Sequence, residues 1–217
     1  LTAVGLIGSR LYFEETAFVG IDVNPSIELR INRFDIVVSA KAYNEDGEAL
    51  LRDVSVTGKP YDSAVATLTS STAFAPYLES DAYIAISVAS NDAGQSDTLR
   101  TQSDACLRSL PCEGSCHTVD AETRAAASAA GMGAGRYQAA LRLLELDSSL
   151  TLEDCASMSM HELRSRIAAL EGGEPEGEGG QQGGAGWGSG HGGPSGNGHG
   201  QGVGQGKGAS GKGHHAE

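Results

Sequence analysis

The placement of glycine constrains this chain more than any other feature. Of its 31 glycines, 21 fall between Gly172 and Gly213, and residues 1–170 hold only ten. A stretch in which Gly alternates with Gln, Ser, His and Glu has no apolar run to bury, and it loses the most backbone entropy on ordering. Residues 171–217 therefore read as a disordered, flexible tail with a single aromatic, Trp187. The first 170 residues are ordinary globular material, enough for one core with a small appendage.

Charge narrows the partners. The formal net charge is −13, with no Lys/Arg patch of the kind that neutralises phosphates, so nucleic acid is excluded. Neither a phosphate loop nor a Ser/His/Asp arrangement is visible, and His117 and His161 stand alone as surface or capping residues. A secreted hydrolase ranks last for that reason. Cys106, Cys112, Cys116 and His117 are metal-ligand types, but five and three residues separate the cysteines. Closed zinc sites usually use closer pairs. Chelation by His191, His199, His214 and His215 is entropically costly between spaced glycines, so neither a metal nor a cofactor is expected. The four cysteines, including Cys155, allow two disulfides in three pairings in an oxidising compartment; Cys155 equally reads as a buried free thiol.

The chain starts at Leu1 rather than Met and reads as a fragment or a processed chain. Leu1–Gly8 (LTAVGLIG) is apolar, but eight residues fall short of the roughly 20 that cross a bilayer. The segment is either a frayed apolar terminus or the outer end of a membrane helix.

Polarity alternates with a period of two in Ala17–Asp22 and Ser26–Ile31, and Ile36–Tyr43 is rich in β-branched residues, so all three read as strands. Asn44-Glu45-Asp46-Gly47 reads as a turn. Tyr61–Tyr77 reads as one helix weakened by Thr and Ser, Ala82–Ser90 as a buried strand, Asp92–Leu107 as a helix and Ser115–Val119 as a short strand. Beyond Asp120, a natural N-cap, the pattern turns helical: Ala121–Ala130, Gly135–Leu146, a turn opening at Thr151, and Ser159–Leu170 with Ser159 and Glu162 as a capping box. These elements make an α+β domain, with a mainly antiparallel sheet, packed helices and a C-terminal helical unit.

One dipeptide carries distinctive chemistry. Pro25 pushes Asn24 into extended geometry. Ordinary Asn ageing needs the next backbone N–H, which proline lacks. What remains is attack by the Asn24 side-chain nitrogen on its own backbone carbonyl, closing a succinimide and releasing Pro25 as a new N-terminus. A carboxamide is a poor nucleophile, so the fold must supply geometry and polarisation. Asp22, Ser26 and Glu28 are the nearest groups able to assist; the plain alternative makes them surface-facing strand and turn residues. For Asn24-Pro25 itself the plain alternative is a turn.

The stretch Phe18–Arg33, FVGIDVNPSIELRINR, resembles the extracytoplasmic domain of RsgI-type membrane anti-sigma factors, whose pattern runs approximately DINPSIEL-x-VNRF. The resemblance continues through Tyr43–Leu51 (YNEDGEALL) and Ala130–Leu170, notably GRYQAALRLLELDSSLTLED and SMHELR. It implies a single-pass membrane protein whose cytoplasmic segment, outside this chain, holds a sigma factor. It also implies an outer domain that breaks its own backbone at the position of Asn24 and Pro25. The expected organisation is residues 1–11 as the end of a membrane segment, 12–119 as the self-cleaving domain, 120–170 as a helical extension packed on it, and 171–217 as the tail. Residues 12–217 then lie on the extracytoplasmic side of the cell membrane, where polysaccharide or cell wall is a further contact. The cleavage is single-turnover, so the chain is not a turnover enzyme. The rival reading is an uncleaved cell-surface binding domain with a flexible tail.

Overall fold

The computed structural model describes residues 10–172. The apolar start through residue 9 and the glycine-rich tail from residue 173, with its four histidines, lie outside the described residues. Five strands, β1 (Ala17–Asp22), β2 (Ser26–Ile31), β3 (Val37–Ala42), β4 (Tyr83–Ser90) and β5 (Glu113–Thr118), form one sheet in the order β3-β2-β1-β4-β5. Every residue of β1 pairs on both edges, with Ile31–Ser26 on one side and Ser90–Ala85 on the other. β1 is therefore the central strand.

After a short helical stretch over residues 10–13, the chain forms α1 (Glu45–Asp53), α2 (Tyr61–Thr69), α3 (Ala93–Leu107), α4 (Ala121–Ala129), α5 (Ala134–Leu146), α6 (Leu152–Ala156) and α7 (Met160–Leu170). β1 is antiparallel to β2 and β4, as β2 is to β3, while β4 and β5 run parallel. A parallel pair requires a crossover, and α3 supplies it. The chain thus adopts the α+β class expected from its pattern, with a mainly antiparallel sheet.

The alternation of apolar residues sorts the two faces of the sheet. Val19 and Ile21, Ile27 and Leu29, and Ile86 and Val88 turn to one side and share a core with Leu50 of α1, Leu68 of α2 and Leu99 of α3. On the other side, Ala85 joins a second core with Met132, Ala140, Leu143, Cys155 and Leu163.

Two expectations are corrected. Asn44-Glu45-Asp46-Gly47 is not a free turn: Asn44 is the N-cap of α1, accepting from the Gly47 N–H, and three acids occupy the first turn. The helix expected over Tyr61–Tyr77 ends at Thr69 and is followed by a separate 3₁₀ turn, Ala75–Tyr77. The hydroxyls of Ser70 and Ser71 accordingly bond back to the carbonyls of Ala66 and Leu68, and Pro76 sits at the start of the 3₁₀ turn. The expected caps form: Asp120 caps α4, Thr151 makes a capping box with Asp154, and Ser159 makes one with Glu162.

All four cysteines are free thiols. Cys155 is fully buried in the second core, and burial pushes the Cys116 thiol up to about 11, which leaves it inert at neutral pH. Among the described residues, Cys106, Cys112, Cys116 and His117 do not gather into a metal-holding cluster. Among those residues no helix is long and apolar enough to cross a membrane.

Candidate functional site

Val23, Asn24 and Pro25 form the three-residue tip of the β1–β2 hairpin, closed below by the Asp22–Ser26 pair. The Val23 N–H donates to the Pro25 carbonyl at 3.1 Å. Pro25 is buried and Asn24 half-buried. The Val23 carbonyl is held twice, by Arg136 Nη2 at 3.2 Å and by the backbone N–H of Met160 at 3.1 Å. The peptide leading into Asn24 is thus pinned by the first turns of both α5 and α7.

Asp22 and Ser26 are fully buried, and Glu28 nearly so, at 4% exposure. This overturns the plain alternative that they are surface-facing, because α4, α5 and α7 cover this second face of the sheet. Asp22 Oδ2 accepts from the backbone N–H groups of Gly135 (3.0 Å) and Arg136 (3.2 Å), and Oδ1 from the Ser26 hydroxyl (2.5 Å). The helix N-terminus with its free N–H groups is a natural seat for a carboxylate. Burial raises the Asp22 carboxyl above the ordinary carboxylate range, opposed by the Ser26 hydroxyl, the Arg136 charge and the two N–H donors. The close approach needs glycine at position 133, since a Cβ there would collide with the Asp22 carboxylate.

Ser26 is held from the far side. Its N–H donates to Asn44 Oδ1 at 3.0 Å, and Asn44 Nδ2 donates to Asn24 Oδ1 at 2.9 Å. Asn44 therefore spans the Asn24–Pro25 bond, touching the residue on each side of the proline. Gly47 lets α1 close on the hairpin: a Cβ there would lie 2.5 Å from the Ser26 carbonyl oxygen.

Glu28 serves elsewhere. Arg124 grips it with two hydrogen bonds, at 2.9 and 2.7 Å, while the Arg124 guanidinium lies 3.3 Å from the centroid of the Phe18 ring. Arg30 and Tyr43 also reach the Glu28 carboxylate. His117 is half-buried and bonds Gln138 at 2.7 Å, with burial lowering its pKa below 6.5. His161 is exposed and walls a groove of about 230 Å³, shared with Asn24, Tyr77, Glu79 and Asp81, that opens beside the hairpin tip.

The roles of Asn44 and Arg136 at the hairpin tip come from the structure rather than from the sequence pattern. Arg136 lies 113 residues from the Val23 carbonyl it holds, with no local signal. For Asn44 the signal was present in the helix-start pattern of Asn followed by three acids within four residues.

The model of the anti-sigma factor RsgI-like central domain matches residues 16–142 of this chain. Two proteins of Acetivibrio thermocellus are similar to it: the anti-sigma-I factor RsgI9, 27% identical over 166 residues, and the anti-sigma-I factor RsgI6, 27% identical over 169 residues. Each match covers 70% of this chain but only 24% and 22% of the respective relative. The chain spans about a quarter of the length of these curated relatives.

Proposed function

The chain belongs to the RsgI-like anti-sigma factor family, and from that premise we propose that it is an extracytoplasmic regulatory domain that breaks its own backbone between Asn24 and Pro25. The observation that carries this reading is the position of the bond, at the tip of a hairpin whose first strand is the centre of the sheet. Cleavage there severs the chain while leaving β1 paired along both edges.

In the reaction Asn24 Nδ2 attacks the Asn24 backbone carbon, and the C–N bond to Pro25 breaks. The proton leaving Nδ2 is balanced by one arriving at the Pro25 nitrogen. The Asp22–Ser26 pair, beside Pro25, relays that proton, and the raised pKa of the Asp22 carboxyl suits it to the role. The doubly held Val23 carbonyl keeps Asn24 in place, which supplies the orientation a weak nucleophile requires. Water from the adjoining groove then opens the succinimide at the new C-terminus. The reaction happens once per chain, so the domain is a regulator rather than a turnover enzyme.

The break makes a mechanical fuse. The piece that ends at Asn24 stays bound through β1 pairing and through Phe18, clamped under Arg124, which Glu28 of the other piece grips. Residues 12–119 carry the bond and residues 120–170 hold its geometry, with extracellular polysaccharide or cell wall as a further contact. Pulling or partial unfolding of the outer piece frees a membrane-anchored stub, and the signal passes through the membrane to a sigma factor held by a cytoplasmic segment outside these 217 residues.

A denaturing gel with intact-mass measurement on purified residues 1–217, beside Asn24→Ala, tests this. Fragments 1–24 and 25–217 from the native chain alone are expected, with fragment 1–24 lighter by one water where the succinimide persists. A native chain that stays whole after long incubation leaves the uncleaved binding domain as the reading.

A further inference from the structure

We infer that Asn44 is a catalytic residue of this self-cleavage, selecting which end of the Asn24 carboxamide attacks; the inference rests on the cleavage reading above. The orientation of both amides follows from backbone donors alone. One end of the Asn44 side chain meets the N–H of Ser26 (3.0 Å) and the N–H of Gly47 (2.9 Å). A backbone N–H only donates, so that end is the oxygen. The other end is therefore the NH₂, and the Asn24 atom 2.9 Å from it must be an acceptor, Oδ1. Asn24 Nδ2 is left as the end free to attack. The helix cap that starts α1 thus fixes the rotamer of the nucleophile at the hairpin tip.

The same bond acts on the reaction. As Nδ2 gives up its proton on the way to attacking the Asn24 backbone carbon, the negative charge left behind is shared between nitrogen and Oδ1. A donor already in place on Oδ1 stabilises that charge without reorganising. The C–N bond to Pro25 breaks and the proline nitrogen takes up a proton, so the step balances with no co-reactant. Capping needs only the oxygen of Asn44, and Asp or Ser at an N-cap serves nearly as well as Asn. The Nδ2 end is surplus to the helix.

Asn44→Asp and Asn44→Ser separate the two roles. Both keep an N-cap acceptor and remove the NH₂, and the carboxylate variant also draws Asn24 Nδ2 toward itself. Both are expected to melt close to the native chain, while fragments 1–24 and 25–217 appear about 100-fold more slowly. A native chain that cleaves while either folded variant keeps pace with it overturns the inference and leaves self-cleavage standing. A native chain that never cleaves removes both.

Discussion

On one face of the sheet, Val19, Ile21, Ile27, Leu29, Ile86 and Val88 meet the aliphatic sides of α1, α2 and α3. On the other, the same strands present Asp22, Glu28, Ala85 and Ser87, all buried, to α4, α5 and α7. Apolar burial is non-directional and scales with area, so the first face sets how firmly the domain holds together. Buried charges are tolerated only when each is paired and hydrogen-bonded. The second face is therefore geometrically exacting, and the candidate bond lies at its edge. Stability and positioning are assigned to opposite sides of one strand, β1.

The largest effect that tests this division comes from Arg136, 4% exposed, which holds the Val23 carbonyl and offsets the Asp22 charge. Arg136→Ala takes the compensating charge from buried Asp22 and one donor from the Val23 carbonyl, and is expected to cost about 3–5 kcal/mol in denaturant unfolding. Below its melting range it also slows fragment appearance, because Val23 loses one of its two anchors. On the opposite face, Leu29→Ala opens a cavity and lowers stability by about 2–5 kcal/mol. Under folding conditions its cleavage rate stays that of the native chain; a slowed rate would erase the distinction between the faces.

The smallest effect is in pH. Burial lowers the pKa of His117 below 6.5, so its contribution to stability is present above pH 6.5 and is lost as pH falls through the folded value. Thermal midpoints should therefore drop between pH about 7 and about 5, with a smaller drop in His117→Gln. An equal drop in both proteins would assign the acid sensitivity to other groups.

The strands were legible because their signal is local. Ala17–Asp22 and Ser26–Ile31 alternate with the pleat, and the observed strands have those same limits. The caps at Asp120 and Ser159 were equally readable, since each acts on an N–H three residues ahead. Asn44-Glu45-Asp46-Gly47 reads as a turn from its residues alone because turns and helix starts use the same ones. Packing of Leu50 into the core and of Gly47 against Ser26 decides between them. The helical pattern of Tyr61–Tyr77 runs past the observed helix because apolar periodicity alone does not show where serine hydroxyls divert the backbone.

By itself the sequence determined the strands, the caps and the Asn24-Pro25 dipeptide, whose special chemistry follows from a proline without an N–H beside a carboxamide. Only the tertiary structure decided that Asp22, Ser26 and Glu28 are buried, that Asn44 faces Asn24 and that Arg136 faces Val23. Those contacts join positions 20 and 113 residues apart. Period and propensity act over a few residues, and nothing local to Arg136 records which carbonyl the folded chain will bring to it.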